Sequence, residues 1–371
     1  MKKLKILHAA DLHLDSPFEA LGAGKAALRR EEQRELLSRL AELAAQEQVD
    51  LVLLAGDLLD SANTFYETGE ELIRALRHIP APVFIAPGNH DWYSQRSPYA
   101  KLQLPDNVHV FTERAIRSVK LPEAGARVYG AAFTEPSSPP LLQGFRAERV
   151  EGVYNILCLH GDMSSRDSRY NPITEEQLRQ SGLDYAALGH IHKASGLCKA
   201  GNVWYSWPGC PEGRGFDETG EKTVSIVTLM GSECELTPVC IAKRRYEVMQ
   251  LDVTDADPLL AVHTQVPDDT VTDVYRIVLT GEADAPPDLK KLYDNLSDMF
   301  FELQLRDETR LRRGIWDSAG EDTLRGLFLS RLRSQYDKAR DDAERKRIEQ
   351  AARWGLAALD NAEEVVRHED Q

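Results

Sequence analysis

The sequence predicts an α/β fold for the first half of the chain, and three observations carry that prediction. Short apolar runs of strand length alternate with charged helical stretches. These runs are apolar at consecutive positions, not at every second one, so their strands are buried on both faces beneath helices. Each of five runs is followed at once by a cluster of acidic, amide or imidazole residues. In open α/β sheets the carboxyl ends of strands are where ligands bind, so five such clusters can converge on one crevice.

Residues 4–8 form the first strand-like run, followed by a charged helical segment at 25–48. A strand at 51–55, an amphipathic helix at 66–78 and a strand at 83–86 complete a β-α-β-α-β rhythm. Further strands are predicted at 128–132, 155–159 and 185–188, then at 203–207, 223–229 and 236–241. The last three have no helices between them and read as an antiparallel meander. From Tyr246 a smaller α/β unit follows, with strands at 248–253, 274–279 and 301–305 and a helix at 289–296. Residues 321–366 are charged, helical and free of proline. A chain of 371 residues exceeds what one core serves. The predicted domains are 1–245, 246–310 and 311–371.

Composition narrows the class of function. With 42% hydrophobic and 28% charged residues the chain has material for an ordinary core. Its longest apolar stretches are too short to cross a bilayer. The N-terminal run reaches Asp11 too soon for a signal peptide, which predicts a cytoplasmic protein. Five scattered cysteines with no C-x-x-C pair argue against a disulfide framework or a thiolate zinc site. A formal charge of −15 excludes a protein that holds nucleic acid mainly through its global field. It does not exclude a phosphate substrate, because bound divalent cations reverse the field of a carboxylate-lined cleft.

The clusters are Asp11-Leu12-His13, Gly56-Asp57-Leu58-Leu59-Asp60, Gly88-Asn89-His90-Asp91, His160-Gly161 and Gly189-His190-Ile191-His192. Carboxylates, imidazoles and one amide, with no thiolate, suit manganese, iron or zinc. Asp11, His13, Asp57, Asn89, His160, His190 and His192 are too many ligands for one ion and suit two ions sharing a carboxylate. Two ions roughly 3.5–4 Å apart can bind a phosphate and turn a bridging water into hydroxide. The adjacent glycines let the backbone approach closely and turn sharply.

This ordered set resembles the calcineurin-like metallophosphoesterase superfamily. Within it, the run from Ala10 to Phe18, the Leu188-Gly189-His190-Ile191-His192 segment and the run from Pro208 to Glu218 resemble the SbcD-type DNA exonucleases, especially the bacterial YhaO-like branch. The resemblance implies a two-sheet α/β/β/α sandwich with a small α/β cap domain and C-terminal helices. It implies that Asp11, His13 and His192 hold one ion and Asn89, His160 and His190 the other, with Asp57 bridging. His90 would meet the phosphate and protonate the leaving oxygen or stabilise its charge, and Asp91 would orient His90. The sequence departs from the pattern at Asp60, where eukaryotic and archaeal relatives carry histidine. The activity implied is a DNA repair nuclease: a manganese-dependent phosphodiesterase (iron, zinc or magnesium being alternatives), homodimeric and cooperating with an SbcC-like SMC ATPase. The other readings are a phosphoesterase acting on a small phosphodiester or a phosphoprotein, and a DNA-end scaffold.

Each neighbouring residue also has an ordinary explanation. His8, inside the first strand, reads as structural, and Asp15 before Ser16-Pro17 as a cap or turn former. Asp60 reads either as support for the site or as turn structure. Arg214 reads as a phosphate contact or a partner of a nearby carbonyl. The run Lys243-Arg244-Arg245 reads as a solvated face or a DNA contact. Leu324, Leu327, Phe328, Arg331 and Leu332, and further on Trp354, Ala358 and Val365, follow helical spacing. Such a face packs on its own protein or on a partner.

Overall fold

In the computed structural model, which describes residues 2–61 and 64–359, the apolar runs of the first half become strands of two six-stranded sheets. The chain divides into two units, Met1–Arg245 and Tyr246–Gln371.

The first unit opens with β1 (Leu4–Ala9), α1 (Ala23–Gln46), β2 (Leu51–Leu54), α2 (Tyr66–His78) and β3 (Val83–Ile85). A helical turn α3 (Pro98–Lys101) leads to β4 (Val108–Val110), β5 (Arg117–Leu121), β6 (Ala126–Gly130) and β7 (Tyr154–His160). Then come α4 (Glu175–Gln180), β8 (Tyr185–Gly189), β9 (Cys198–Ala200), β10 (Val203–Ser206), β11 (Val224–Met230) and β12 (Glu233–Val239). One sheet has the order β12-β11-β1-β2-β3-β4 and the other β5-β6-β7-β8-β10-β9.

Strand alternation explains the continuous apolar runs. Leu4 and Ile6 of β1, Leu51 and Leu53 of β2 and Phe84 of β3 pack in one core with Ile156 and Cys158 of β7 and Tyr185 and Ala187 of β8. The alternate residues Leu7, Val52, Leu54 and Ile85 pack outward against Leu36, Leu40, Leu72 and Leu76 of α1 and α2. On the other outer face Leu157, Leu159, Ala186 and Leu188 pack with Leu178 of α4. Both faces of each central strand are covered, giving the layers α/β/β/α.

The meander expected at 203–241 does not form. β10 joins the second sheet, parallel to β8, whereas β11 and β12 form a hairpin on the first sheet with β11 antiparallel to β1. The hydrophobic pattern was right, but pairing is set by which core the side chains enter. Val203 and Tyr205 face the outer core of the second sheet, and Val227 and Leu229 the core between the sheets.

The second unit begins with β13 (Tyr246–Asp252), α5 (Pro258–Gln265) and β14 (Val274–Thr280). After the two-residue strand β15 (Glu282–Ala283) come α6 (Leu289–Leu296) and β16 (Glu302–Asp307). β13, β14 and β16 form a parallel sheet whose core is closed by Val262, Leu292 and Leu296. The helical tail is two helices, α7 (Leu324–Tyr336) and α8 (Asp342–Leu359). Leu329, Ala352 and Leu356 pack together with Phe328 and Leu332, while Leu324 and Leu327 are 70% and 61% exposed. Val365 lies outside the described residues.

Candidate metal centre

The five clusters meet at the carboxyl ends of β1, β2, β3, β7 and β8. The turns after β1 and β2 are laced together: Asp11 and His13 amides donate to the Gly56 and Asp57 carbonyls at 3.0 and 2.9 Å. Buried Gln33 of α1 donates from Nε2 to the Leu12 and His13 carbonyls at 3.3 and 3.1 Å. These turns are strained, with φ of 55° at Asp11, 45° at His13, 51° at Asp57 and 100° at His190. Such conformations cost of order 1–3 kcal/mol each and persist only where the surroundings enforce them. Gly88 cannot carry a side chain, because a Cβ there would collide with Asp57 Oδ1.

Three groups of donor atoms lie within 4.8 Å of one another: Asp11, His13 and His192; His13, Asp57 and His90; and Asp57, His160 and His190. Asn89 Oδ1 sits 3.0 Å from His160 Nε2 and 3.1 Å from His190 Nδ1. Asp57 faces both sides, with Oδ2 at 3.3 Å from His160 Nε2 and 3.8 Å from His13 Nε2. Asp11 is fully buried and accepts the His190 amide at 3.0 Å. All seven sequence-singled donors therefore stand in one place, and the ring of His90 is the most open, with 44% of its side chain exposed.

The hydrogen bonds behind these rings test whether a cation fits. His13 Nδ1 lies 3.0 Å from Asp60 Oδ1, and His192 Nδ1 lies 2.6 Å from Glu218 Oε1. A carboxylate only accepts, so both Nδ1 atoms carry hydrogen and, in the neutral ring, both Nε2 atoms present lone pairs. Those two Nε2 atoms are 3.2 Å apart. His160 repeats the pattern: Nδ1 donates to the Ala55 carbonyl at 2.9 Å and Nε2 faces Asn89 Oδ1. Lone pairs aimed at one another need positive charge between them, and this donor set fits divalent cations.

Electrostatics agree. Burial pushes the Asp11 carboxyl up to about 7, against the pull of His160. Burial alone would lower His160, but the charge and bond of Asp57 more than reverse it, to about 9. Burial disfavours charge on Asp57 too, yet His160 and His13 hold its pKa far below the carboxylate range. Burial likewise opposes ionisation of Glu218, and His192 and Arg214 overcome it. The site is built around anionic oxygens that require a positive partner.

Several expectations for individual residues need correction. Asp91 does not orient His90. Its carboxylate accepts from the Gly88, Asp57 and Leu58 amides at 2.7, 3.2 and 2.8 Å and from Tyr99 Oη at 2.5 Å. It braces the turns that carry Asp57 and Asn89. His90 Nδ1 lies 3.1 Å from the Asp60 carbonyl instead. Arg214 contacts carboxylates rather than a carbonyl or open solvent, donating to Glu218 and to Asp60. Arg244 is no solvated charge: it is buried and donates to both Glu32 oxygens at 2.7 and 2.6 Å. Asp15, by contrast, acts as the cap former expected of it: it accepts from the Phe65 amide at 3.0 Å and Thr68 Oγ1 at 2.5 Å at the start of α2.

The cage opens into a cleft of about 620 Å3 that Asn89, His90 and Asp60 share with Trp92, Arg169 and Tyr170. The Tyr170 ring lies 5.0 Å from that of His190, and the Arg169 guanidinium 5.1 Å over Tyr170. Sequence reading passed over these three residues and Glu218. Trp92, directly after Asp91, was the one with a local signal.

A family model described as Calcineurin-like phosphoesterase matches residues 4–194. The chain is 29% identical over 332 residues to the uncharacterized metallophosphoesterase YhaO of Bacillus subtilis (strain 168), covering 84% of this chain and 80% of that one. It is 24% identical over 269 residues to the SbcD component of the SbcCD nuclease of the same organism, covering 60% and 66%. To the DNA double-strand break repair protein Mre11 of Saccharolobus solfataricus it is 25% identical over 198 residues, covering 51% and 49%. The alignments span less than two thirds of the length of these last two relatives. No helix among the described residues is long and apolar enough to cross a membrane. The family match takes in more than half of the 371 residues and all five clusters, so the chain belongs to the calcineurin-like phosphoesterase family and is by that membership a metal-dependent phosphoesterase.

Proposed function

We propose that the first unit is a two-metal DNA phosphodiesterase of exonuclease type, a repair nuclease that works with an SMC-like ATPase. One observation carries the reading: the donor cage opens onto a cleft that His90 shares with two aromatic rings and a guanidinium. Stacking of a base on an aromatic side chain contributes about 1–3 kcal/mol, and arginine pairs with phosphate oxygens. A nucleotide beside the cage satisfies both. The names of two relatives, a nuclease component and a double-strand break repair protein, support the same substrate.

In this reading Asp11, His13 and His192 would hold one divalent cation and Asn89, His160 and His190 the other, with Asp57 available to both. Divalent cations held there, manganese in this reading, would supply charge to neutralise the phosphate and would lower the pKa of a water near them. His90 touches the substrate. Its Nδ1 is engaged by the Asp60 carbonyl, so the proton for the leaving oxygen comes from Nε2 of the imidazolium. Asp91 and Tyr99 keep the Asp57 turn rigid. The exposed Leu324 and Leu327 of α7 offer an apolar face for a partner helix.

Asp57→Asn tests the mechanism. It should lose cleavage of end-labelled DNA in added manganese by at least about a thousandfold while its circular dichroism stays unchanged. Full activity in that variant would sink the two-metal reading. The net charge of −15 favours a second reading, in which the substrate is a small phosphodiester. Turnover of bis-p-nitrophenyl phosphate with no cleavage of single-stranded DNA or duplex ends would decide for it.

A further inference from the structure

Two imidazoles of the cage, His13 and His192, are each gripped from behind by a carboxylate, Asp60 and Glu218. One side chain joins those two carboxylates. Arg214 donates from one terminal nitrogen to Glu218 Oε1 at 2.8 Å, from Nε to Glu218 Oε2 at 3.3 Å and from its other terminal nitrogen to Asp60 Oδ1 at 3.4 Å. Its own amide donates to Glu218 Oε2 at 2.8 Å. One terminal nitrogen also lies 3.1 Å from His192 Nδ1. That ring nitrogen must give its hydrogen to Glu218, so the guanidinium spends its hydrogens on the carboxylates.

The segment that carries this arginine is anchored independently. Buried Arg29 of α1 donates to Glu212 at 3.0 Å and to the Gly213 carbonyl at 3.3 Å. The Cys210 amide donates to the His192 carbonyl at 3.2 Å, and a Cβ at Gly209 would stand 2.8 Å from that same carbonyl. The loop is thus built onto the backbone of the histidine that it serves.

We propose that Arg214 and Glu218 are positioning residues for one metal site only. Their fork-and-carboxylate clamp fixes the tautomer and angle of His192 and, through Asp60, of His13. The inference rests on the two-metal reading. A guanidinium suits the task because its planar fork spans two acceptors at once, which an ammonium cannot. Its placement also gives Asp60 a second partner: a carboxylate there takes both the His13 hydrogen and an arginine hydrogen, whereas a neutral imidazole accepts at one nitrogen only.

The test is titration of metal-free protein with manganese, read from the electron paramagnetic resonance signal of free Mn2+, alongside thermal unfolding without metal. Wild type should bind two ions. Arg214→Gln and Glu218→Gln should each weaken one of the two sites by about 10–100-fold and leave the other within threefold. Arg214→Lys should recover little of the loss. The KM for bis-p-nitrophenyl phosphate should stay unchanged while the manganese needed for half-maximal activity rises. The inference is overturned if both sites keep wild-type affinity, if both weaken equally, or if KM rises at unchanged metal affinity, as for an arginine that binds phosphate. Should Arg214→Gln fail to fold, Glu218→Gln carries the same readout. A wild type that binds no manganese would instead overturn the two-metal reading itself.

Discussion

His8 shows how much a single buried residue sets the pH limits of this protein. It is fully buried in β1, with Nδ1 2.9 Å from Tyr185 Oη, which in turn meets Ser206 Oγ at 2.7 Å. Burial lowers its pKa from 6.5 to about 3, against a weaker upward pull from the Leu188 backbone. The folded state therefore resists protonation while the unfolded chain accepts it. Stability from the neutral ring is complete above pH 6.5 and is lost as pH falls from 6.5 toward 3, at roughly 1.4 kcal/mol per pH unit. His8→Asn should be less stable than wild type at pH 7, and the gap should shrink by about that slope in urea unfolding at pH 6 and pH 5. A gap that stays constant would show that the ring titrates in the fold as it does in the unfolded chain.

At the scale of elements, α1 carries a buried charge cluster beside its apolar face. Arg29 and Glu32 lie at 0% and 1% exposure one turn apart, paired at 2.8 Å, and reach Glu212 and Arg244 far along the chain. Burial would raise the Glu32 pKa, but bonds from Arg244 and Arg29 bring it down to about 2. A cluster of this kind gains little over an apolar core, yet removing one member leaves its partners charged in low dielectric. Arg29→Met should cost about 3–5 kcal/mol in urea unfolding of the metal-free protein. Because Arg29 also anchors Glu212 and Gly213, it should lower manganese affinity as well. A loss below about 1 kcal/mol would mean that water already solvates the cluster.

For the whole molecule, the cage and the cleft belong to the unit Met1–Arg245. A chain ending at Arg245 should bind two manganese ions and hydrolyse bis-p-nitrophenyl phosphate. A chain ending at Ala242 lacks Lys243 and Arg244, both partners of Glu32, and should melt at least 5 °C lower for a loss of order 2 kcal/mol. Equal melting temperatures for the two fragments would mean that the Glu32 cluster is not structural. A long fragment that binds no manganese would mean that residues of the second unit complete the site.

The sequence alone pointed to buried strands and to candidate donors behind them, but the apolar runs predicted helices on both faces, where the structure packs a second sheet against each inner face. Consecutive apolar runs demand strands covered on both faces, and each donor cluster sits directly behind such a run, so chemistry and fold were legible in one pattern. That Asp11, Asp57 and Asn89 meet follows from the parallel strands β1, β2 and β3 ending on one edge, whereas His160, His190 and His192 reach them from the second sheet. What only the tertiary structure decided is pairing across long sequence distance. The sheet that β10 joins, the turn of Asp91 away from His90, and the reach of Arg214 to Glu218 and Asp60 depend on which atoms the packed core brings within 3.5 Å. Spacing along a chain fixes the direction of a side chain on its own element. Hydrogen bonds between elements are set by the surfaces that packing presses together, and no local pattern records them.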